Sequence, residues 1–436
     1  MITARAFAGH HYAVYGLARS GLATAAALLA SGARVTAWDA KEKARANAPA
    51  GTEIANLDEA DLSQFDSLVV TPGLPINRHP IAQHAREAGV EIIGDIELFA
   101  RARSELPPHK VVGITGTNGK STTTALIHHI LKTAGVPTTM GGNIGLPILA
   151  QDPLPEGGVY VLELSSYQID LTQSLDCDVA VLLNITPDHL DRYEGFEAYA
   201  ASKLRLFQMQ SVDNVGITTE AAFDIERFHT VQSHLFEGTG AAVVDGVPYF
   251  HPLNLAEAQQ HWPSLQGPHN LQNAIAAWLS CEQLGLDDKQ IEEGLRTYPG
   301  LTHRMERVRE KDDVLFVNDS KATNPTATAP ALAAFPSIRW ILGGQAKTDN
   351  LDECAPHFGN VRSAYTIGEA GELFAGLLSP HMPVENCETL ENAVKRAAED
   401  SQAGDTVLLS PACASFDQFR DFEQRGDRFK DLVGAL

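Results

Sequence analysis

Apolar and polar positions along the first hundred residues follow the pattern of an α/β domain. An apolar run at residues 11–15 leads through the turn 16–21 and an alanine-rich stretch to a second apolar run, which ends at Asp39. A strand, a glycine turn, a helix and a strand in this order predict a βαβ unit. The runs 67–75 and 90–98 continue the alternation, which predicts an N-terminal α/β domain.

A second α/β segment begins after a stretch that loses this periodicity and contains two prolines, so we place a boundary near residue 107. The apolar run 110–116 precedes a predicted helix over 120–135, which ends at a glycine. The runs 158–166 and 177–186 contain few polar positions, as expected of strands in a sheet buried on both faces.

A third segment follows the predicted helix 266–285 and the pair Pro299-Gly300, which marks a second boundary. Its apolar runs again alternate with polar helical stretches. The chain is therefore predicted to form three α/β domains. They are an N-terminal Rossmann-like domain (1–107), a central P-loop ATPase-like domain with a mainly parallel sheet (108–300) and a C-terminal Rossmann-like domain (301–436).

Composition narrows the class of protein. With 436 residues, 44% hydrophobic and 20% charged, the chain is predicted to be a soluble globular protein. Its net charge of −22 argues against nucleic-acid binding, which needs a basic surface. Five cysteines without a Cys-x-x-Cys pair predict neither a disulfide framework nor a zinc site. The apolar run Leu22–Ala30 is too short to span a membrane, and we expect a cytoplasmic location.

The clearest candidate for chemistry is the turn between the run 110–116 and the helix that follows it. It reads Gly116-Thr117-Asn118-Gly119-Lys120-Ser121-Thr122. Backbone N–H groups of such a turn, a lysine and a hydroxyl at the helix start bind polyphosphate and Mg²⁺. The usual spacing would place a glycine at Ile114, but a turn without a ligand would not need Lys-Ser here. We therefore predict a phosphate site.

The N-terminal turn is a weaker candidate. Gly16, Ala18 and Gly21 resemble a dinucleotide fingerprint whose middle glycine is replaced, and Asp39 lies where a ribose-binding acid would lie. A tight turn without any ligand is the alternative. The missing glycine makes NAD less favoured than another nucleotide.

Acidic side chains lie within or directly after two of the central apolar runs. Glu163 lies inside one run, where a carboxylate is costly unless it is paired or bound to a metal. Asp188, His189 and Asp191 come directly after the next run. Ligands of α/β domains bind at the carboxyl ends of strands, although a solvated loop would explain this acidic group equally well.

Lys203 lies on an apolar helical face. Phe196, Ala200, Lys203 and Phe207 share that face at helical spacing. The lysine could extend its amine to solvent along the apolar stripe. The alternative is a lysine with a depressed pKa, which acts as a base or reacts with CO₂ to form a carbamate ligand.

Lysines and hydroxyls follow three runs of the last segment, and they suit a small carboxylated ligand. Each of them could also be an ordinary polar group of a loop. The residues are Asp319, Ser320, Lys321, Thr323, Lys347, Ser410, Ser415 and Phe416.

Together, these motifs resemble the Mur ligases of peptidoglycan synthesis, from the first βαβ unit almost to the C-terminus. The motifs are GITGTNGKST, GGNIGLP, LELSSYQ, NITPDHLDRY, GPHNLQNAIAA, LTHRMERV, NDSKATNP and SPACASFDQF, with the helix that carries Lys203. Within the family, NDSKATNP and SPACASFDQFRDFEQRG resemble the members that add D-glutamate.

The resemblance implies an ATP-dependent amide ligase that adds D-glutamate to UDP-N-acetylmuramoyl-L-alanine through an acyl phosphate. ATP, a pair of Mg²⁺ ions and a CO₂-derived carbamate on Lys203 are the cofactors implied. The expected partners are these small molecules, without nucleic acid or membrane insertion, and the chain is expected to be a monomer. These ligases carry the Gly-Thr/Ser-x-Gly-Lys-Ser/Thr form of the loop, which accounts for its spacing.

The resemblance assigns catalytic and nucleotide roles to individual positions. The catalytic residues implied are Lys120, Glu163, His189 and Lys203. Ser121 and Glu163 would serve one magnesium site, and His189 and Lys203 the other. The ATP-binding residues implied are Gly116, Thr117, Asn118, Gly119, Lys120, Ser121, Thr122, Thr123, Asn270, Asn273, Arg304 and Asp319.

It also assigns the two remaining substrates. The residues implied for the UDP-substrate are Arg19, Ser20, Asp39, Thr71, Pro72, Gly73, Asn143, Ser165 and Gln168. The residues implied for D-glutamate are His189, Lys321, Thr323, Lys347, Ser415 and Phe422.

Other functions remain open from the residues alone. A nicotinamide-dependent dehydrogenase would use the N-terminal turn but leaves the phosphate loop unexplained. A regulatory P-loop NTPase explains the loop but not Lys203. Other Mur ligases and folylpolyglutamate synthase share the superfamily.

Overall fold

The computed structural model describes residues 1–188, 192–218, 231–232, 241–244, 247–250 and 255–436. Three β-sheets with flanking helices lie within these residues. The chain divides into two compact units. The first contains Met1–Ala258 and Gln272–Arg296, and the second contains Gln259–Leu271 and Thr297–Leu436. The predicted domain boundaries near residues 107 and 300 stay predictions.

The N-terminal sheet is parallel throughout. Its strands are β1 (His11–Tyr15), β2 (Arg34–Trp38), β3 (Glu53–Ile54), β4 (Ser67–Val70) and β5 (Glu91–Ile93). The accompanying helices are α1 (Arg19–Ala30), α2 (Glu42–Ala46), α3 (Pro80–Glu87) and α4 (Asp95–Ala102). The order β3-β2-β1-β4-β5 reverses between β1 and β4, and ligands of open α/β sheets bind at such a point.

The central sheet is parallel from β7 to β11 and antiparallel at its last two strands. The strands are β6 (His109–Thr115), β7 (Thr138–Gly142), β8 (Gly158–Glu163), β9 (Val179–Leu182), β10 (Val215–Thr218), β11 (Val231–Gln232), β12 (Ala241–Val244) and β13 (Val247–Phe250). The helices are α5 (Lys120–Thr133), α6 (Ser166–Asp170), α7 (Phe196–Gln208), α8 (Leu255–Ala258), α9 (Pro268–Gln283) and α10 (Asp288–Thr297). The order β13-β12-β11-β10-β9-β6-β8-β7 places β6 between two buried neighbours.

The C-terminal sheet is parallel except for its first strand. The strands are β14 (Glu306–Lys311), β15 (Val314–Asn318), β16 (Ile338–Gly343), β17 (Val361–Ile367), β18 (Val384–Glu388) and β19 (Thr406–Leu409). The helices are α11 (Pro325–Ala333), α12 (Gly371–Leu378), α13 (Leu390–Glu399) and α14 (Phe422–Ala435). The order is β14-β15-β19-β16-β17-β18. The carboxyl ends of β15, β16 and β19 therefore lie side by side.

Glu97 joins α4 to the segment that follows α6. Its side chain is only 1% exposed. One carboxylate oxygen accepts hydrogen bonds from the backbone N–H groups of Gln173 (2.7 Å) and Ser174 (2.9 Å). The other accepts from Ser174 Oγ and Arg101 Nε, both at 2.9 Å. This single carboxylate therefore satisfies four donors from three residues.

We expect Glu97→Ala to lower the free energy of unfolding by about 2–4 kcal/mol, because it leaves buried donors without an acceptor. Urea denaturation followed by circular dichroism measures the change. Glu59→Ala, at an exposed position, is the control and should change stability by less than about 0.5 kcal/mol. Equal losses in the two variants would contradict this role of Glu97.

Candidate active site

The predicted phosphate loop lies between the end of β6 and the first turn of α5, as expected from the sequence. Gly116 and Gly119 have positive φ angles of 149° and 84°. A Cβ atom added at Gly119 would lie 2.3 Å from Asn273 Oδ1, so a side chain there would be excluded sterically and strained in its backbone. The glycine thus lets α9 approach the loop closely.

Asn184, for which the sequence predicted no role, holds this loop from the end of β9. Its carbonyl oxygen accepts from Thr117 N (2.8 Å), and its Oδ1 accepts from Asn118 N (2.8 Å). Its Nδ2 donates to the carbonyl oxygen of Asn118 (3.1 Å). A polar residue directly after a buried strand was the sequence signal that could have revealed it.

Two lysine amines meet at one carbonyl group of the loop. Lys120 Nζ donates to the carbonyl oxygens of Gly116 and Thr117, both at 2.8 Å. Lys203 Nζ donates to the same Gly116 oxygen at 2.9 Å and lies 4.7 Å from the centre of the Tyr199 ring. The loop therefore carries two positive charges or, if one amine is neutral, an ammonium beside an amine.

Lys203 is fully buried, which confirms that the predicted apolar face of α7 packs inward. Its side chain is 1% exposed. Burial, followed by repulsion from Lys120, lowers the pKa of Lys203 from 10.5 to about 7, although Asp188 and Asp170 oppose the shift. A substantial fraction of the amine is then neutral near pH 7, and a neutral amine is a nucleophile.

Glu163 ends β8 beside β6 and is 2% exposed. Its Oε1 accepts from Asn143 Nδ2 (2.9 Å), and its carbonyl oxygen accepts from Asn143 N (2.8 Å). Its Oε2 is buried and has no hydrogen-bond partner among the residues that the structure describes. An unsatisfied carboxylate oxygen at a strand end suits a hard cation such as Mg²⁺.

The other residues predicted to bind ATP in the first unit lie along α5 and α9. Ser121 and Thr122 are in the first turn of α5, and Ser121 is 4% exposed. Thr123 Oγ1 lies 3.3 Å from Asn273 Oδ1. Asn270, in the second unit, is buried and donates from Nδ2 to the carbonyl oxygen of Gln266 (3.0 Å).

Loops predicted to hold the UDP-substrate are joined by arginine contacts. Arg19 Nη2 donates to the carbonyl oxygen of Gly145 in the GGNIG loop (2.7 Å). Arg192 Nη2 donates to the carbonyl oxygen of Gly73 (2.9 Å). The structure thus joins the loop after β1 to the loop after β7, and the loop after β4 to the segment after β9.

Asp39 already has two partners within the protein. Its carboxylate oxygens accept from Leu17 N (2.7 Å) and Lys41 N (2.9 Å), which fixes the glycine turn after β1. The turn is tight as well, because a Cβ atom at Gly16 would lie 2.5 Å from Thr71 Oγ1. Ser20 is in the first turn of α1, and Pro72 follows Thr71 in the loop after β4.

Ser165 and Gln168 form a capping box at the start of α6. Ser165 Oγ accepts from Gln168 N (3.3 Å), and Gln168 Oε1 accepts from Ser165 N (3.1 Å). These contacts give both residues a local structural role. Their predicted contact with the substrate stays a prediction.

In the second unit, Asp319 follows β15 and is buried. Its carboxylate accepts from Ser410 Oγ (2.7 Å) and from Met305 N (3.2 Å). Burial raises the pKa of Asp319 from 3.8 to about 7, despite these two hydrogen bonds and the nearby charge of Arg304. Arg304 lies between His303 and Met305, whose φ angles of 63° and 48° are unusual for these residue types.

Apart from His189, the residues predicted to bind D-glutamate belong to the second unit, where Lys321, Thr323, Lys347 and Ser415 follow strands β15, β16 and β19. Lys347 Nζ lies 3.5 Å from Thr323 Oγ1. Lys321 Nζ lies 5.2 Å from the centre of the Phe422 ring. Ser415 is buried in the loop after β19. The structure thus places Lys347 beside Thr323, and Lys321 beside the Phe422 ring.

Arg425, for which the sequence predicted no role, connects the loops that carry these residues. Its guanidinium is 1% exposed and donates to the carbonyl oxygens of Ser320 (2.8 Å), Cys413 (3.1 Å) and Ala414 (3.4 Å). Burial lowers its pKa to about 10. Its place on the buried face of α14, three residues after Phe422, was the available signal.

His189 and Asp191 lie outside the described residues. Within the ranges that the structure does describe, no group of three or more His, Cys, Asp and Glu side chains could hold a metal ion. A magnesium site on Ser121 and Glu163 would be of another kind, because one of its ligands is a hydroxyl. None of the described helices combines the length and the apolar character that crossing a membrane requires.

Three family profiles match successive parts of the chain. Residues 10–94 match the MurD-like N-terminal domain of Mur ligases, residues 114–281 the Mur ligase middle domain, and residues 303–413 the glutamate ligase domain of Mur ligases. A solved UDP-N-acetylmuramate-alanine ligase of Thermotoga maritima aligns with a TM-score of 0.57 at 17% identity, over 98% of this chain and 99% of its own. The predicted α/β fold class is confirmed.

Curated relatives match the whole chain. The UDP-N-acetylmuramoylalanine–D-glutamate ligase of Novosphingobium aromaticivorans is 60% identical over 100% of this chain and 97% of its own length. The enzyme of the same name from Sphingopyxis alaskensis is 58% identical over 100% of both chains. Because full-length identity of this degree accompanies all three domain matches, this chain belongs to the Mur ligase family.

Proposed function

We propose that this protein is the ATP-dependent ligase that adds D-glutamate to UDP-N-acetylmuramoyl-L-alanine in the synthesis of peptidoglycan precursors. The names of its relatives and the C-terminal motifs support this substrate pair. The proposal includes a cytoplasmic, monomeric enzyme. The observation that carries the chemistry is the meeting of Lys120 and Lys203 at the carbonyl oxygen of Gly116.

The first step activates a carboxylate. A carboxylate oxygen of the L-alanyl group forms a bond to the γ-phosphorus of ATP, while the bond from that phosphorus to the bridging oxygen of ADP breaks. Two anions must approach each other in this step, so positive charge is needed at the phosphate loop. Lys120 supplies that charge, and the N–H groups of the loop and of the first turn of α5 orient the phosphates.

The second step forms the amide bond. The amine nitrogen of D-glutamate attacks the carbonyl carbon of the acyl phosphate, inorganic phosphate leaves with its electron pair, and the nitrogen loses a proton. Lys321 and Lys347 would bind the carboxylates of D-glutamate, and Thr323 and Ser415 would donate hydrogen bonds. Arg425 would hold the loops that carry these residues in place through its hydrogen bonds to their carbonyl groups.

Magnesium fits the residues at the strand ends. Ser121 and Glu163 Oε2, which lacks a partner within the described part of the chain, would hold one ion, and His189 with Lys203 would serve a second. Bound Mg²⁺ would neutralise charge on the phosphate oxygens.

Lys203 would react with CO₂ to form a carbamate. Its buried amine has a pKa of about 7, and only a neutral amine can attack CO₂. Nitrogen then bonds to the carbon of CO₂ and releases a proton. The resulting anion would lie beside Lys120, which offsets the burial of its charge.

The nicotinamide-dependent dehydrogenase gains no support at the N-terminal turn. Both carboxylate oxygens of Asp39 already accept backbone hydrogen bonds. The phosphate loop after β6 would have no function in such an enzyme.

We expect phosphate release from ATP only when UDP-N-acetylmuramoyl-L-alanine and D-glutamate are both present. The reason is that the first step needs the carboxylate of one substrate and turnover needs the amine of the other. A colorimetric phosphate assay over a panel of UDP-sugar acceptors and amino acids measures this. Equal turnover with L-glutamate or a folate, or an NAD(P)H-dependent absorbance change, would contradict the assignment.

We expect Lys203→Ala to lower kcat by at least about 100-fold, because it removes a charged group from the phosphate site. A short-chain carboxylic acid added to the assay should restore part of the activity by placing a carboxylate in the vacated space. Lys132→Ala, at an exposed position of α5, is the control and should neither lose activity nor respond to the acid. Wild-type activity of Lys203→Ala would exclude the carbamate.

We expect the free energy of unfolding to fall as the pH rises from about 4 to about 7, because of Asp319. The unfolded side chain ionises near pH 4 and the folded one near pH 7, so the folded protein binds the extra proton in this window. Asp319→Asn should remove this slope and be the more stable protein at pH 8 by up to roughly 3–4 kcal/mol, with little difference at pH 4.

Urea denaturation at several pH values measures this effect. Asp352→Asn, at an exposed position, is the matched control and should keep the wild-type slope. The same slope in Asp319→Asn would show that Asp319 is ionised in the folded protein throughout this window.

A further inference from the structure

A cavity of about 550 Å³ lies on the first unit, between the loop after β4, α3 and the two helices α6 and α7. Of the residues that line it, only Pro72 is assigned above to a substrate. Its volume is in the range typical of small-molecule sites. The reaction proposed above gives it no role.

The wall of the cavity has an excess of positive charge. Arg78, Arg86, Arg192 and Arg205 line it together with two carboxylates. One carboxylate, that of Asp170, is already engaged. It accepts from the Tyr193 hydroxyl (2.8 Å), and its other oxygen lies 3.8 Å from Arg205 Nη1. Once Asp170 is paired with Arg205, the three remaining arginines face one remaining acid, Glu194. The lining then has a net charge of about +2.

Two of these arginines have no counter-charge among the described residues. The exposed guanidinium groups of Arg78 and Arg86 form neither a hydrogen bond nor an ion pair with any part of the chain that the structure describes. The chain has 55 acidic and 33 basic residues, so acids are not scarce. Unpaired arginines on the wall of a cavity in such an acidic protein indicate an anionic ligand.

The cavity also offers flat and apolar surfaces. The guanidinium carbon of Arg192 lies 4.4 Å from the centre of the Tyr167 ring. The rings of Tyr167 and Tyr193 are stacked, with centres 6.1 Å apart and planes 11° apart. Leu74 and Ile76 add aliphatic surface. A ring can pack on such a wall while a charged substituent meets the arginines.

We propose that this cavity binds a phosphate monoester carried by a ring, such as a sugar phosphate. A phosphate dianion would balance the net charge of the lining, and arginine binds phosphate through paired N–H groups. The sugar or another ring would lie against Tyr167, Tyr193 and the aliphatic side chains.

The site has a direct connection to a substrate loop. Arg192, on the cavity wall, also donates to the carbonyl oxygen of Gly73 (2.9 Å). A phosphate that draws Arg192 towards the cavity would weaken this contact. If the proposed function holds, the ligand should therefore raise the KM for the UDP-substrate, whereas binding itself does not depend on that function.

Isothermal titration calorimetry tests the site with glucose 1-phosphate as the probe, in the presence of saturating ADP and UDP to occupy the nucleotide sites. We expect millimolar or tighter binding to the wild type. The double variant Arg78→Gln/Arg86→Gln should bind at least about tenfold more weakly, because it loses two charged contacts.

Arg5→Gln/Lys43→Gln is the matched control, since it removes the same charge from exposed positions outside the cavity. Absence of binding to the wild type, or an equal loss in the control, would overturn the proposal. Inorganic phosphate, titrated alone, separates the two parts of the ligand. Equal affinity for phosphate and for glucose 1-phosphate would overturn the role of the ring.

The ligase assay tests the connection to the substrate loop. We expect glucose 1-phosphate to raise the KM for UDP-N-acetylmuramoyl-L-alanine in the wild type and the control, and not in the Arg78→Gln/Arg86→Gln variant. An unchanged KM alongside measurable binding would overturn the connection.

Discussion

The carbonyl oxygen of Gly116 accepts hydrogen bonds from two lysines, and this contact joins the phosphate loop, α5 and α7 at one point. Lys120 reaches it from the first turn of α5, and Lys203 reaches it from the buried face of α7. Two amines at one acceptor repel each other when both are charged, and burial adds to the cost for Lys203. Both effects lower the pKa of Lys203 to about 7, so part of its amine is neutral near pH 7.

The backbone conformation of the phosphate loop depends on two glycines and on Asn184. Gly116 and Gly119 adopt positive φ angles, and Asn184 takes up the polar groups of the turn between them. Glu163 lies on the neighbouring strand β8, and its Oε2 accepts no hydrogen bond from any residue that the structure describes. The left-handed glycines of the phosphate loop, the lowered pKa of Lys203 and the buried carboxylate of Glu163 lie close together, and such features are typical of catalytic sites.

The second unit also buries two ionisable side chains, those of Arg425 and Asp319. The buried guanidinium of Arg425 has no carboxylate partner in the described part of the chain, and five oxygen acceptors satisfy its donors instead. A buried carboxylate beside Ser410 remains partly protonated near pH 7. Arg425 joins the loops after β15, β16 and β19, which carry Lys321, Lys347 and Ser415.

The sequence by itself determined the α/β class, the strand–turn–helix around Gly119 and the inward face of α7 that contains Lys203. Each depends on periodicity or on residue types within one short segment, so local sequence is sufficient to predict it. The motifs also predicted the ligase family, which the full-length relatives confirm.

Only the tertiary structure decided which segments meet. Asn184 and Arg425 gain their roles from loops that are distant in sequence, and Asp39 uses its carboxylate to hold Leu17 and Lys41. The cavity lined by Arg78 and Arg86 likewise needs four separate segments to enclose it. Hydrogen bonds and charge pairs between distant residues depend on where the chain folds back, and no periodicity within a single segment encodes that position.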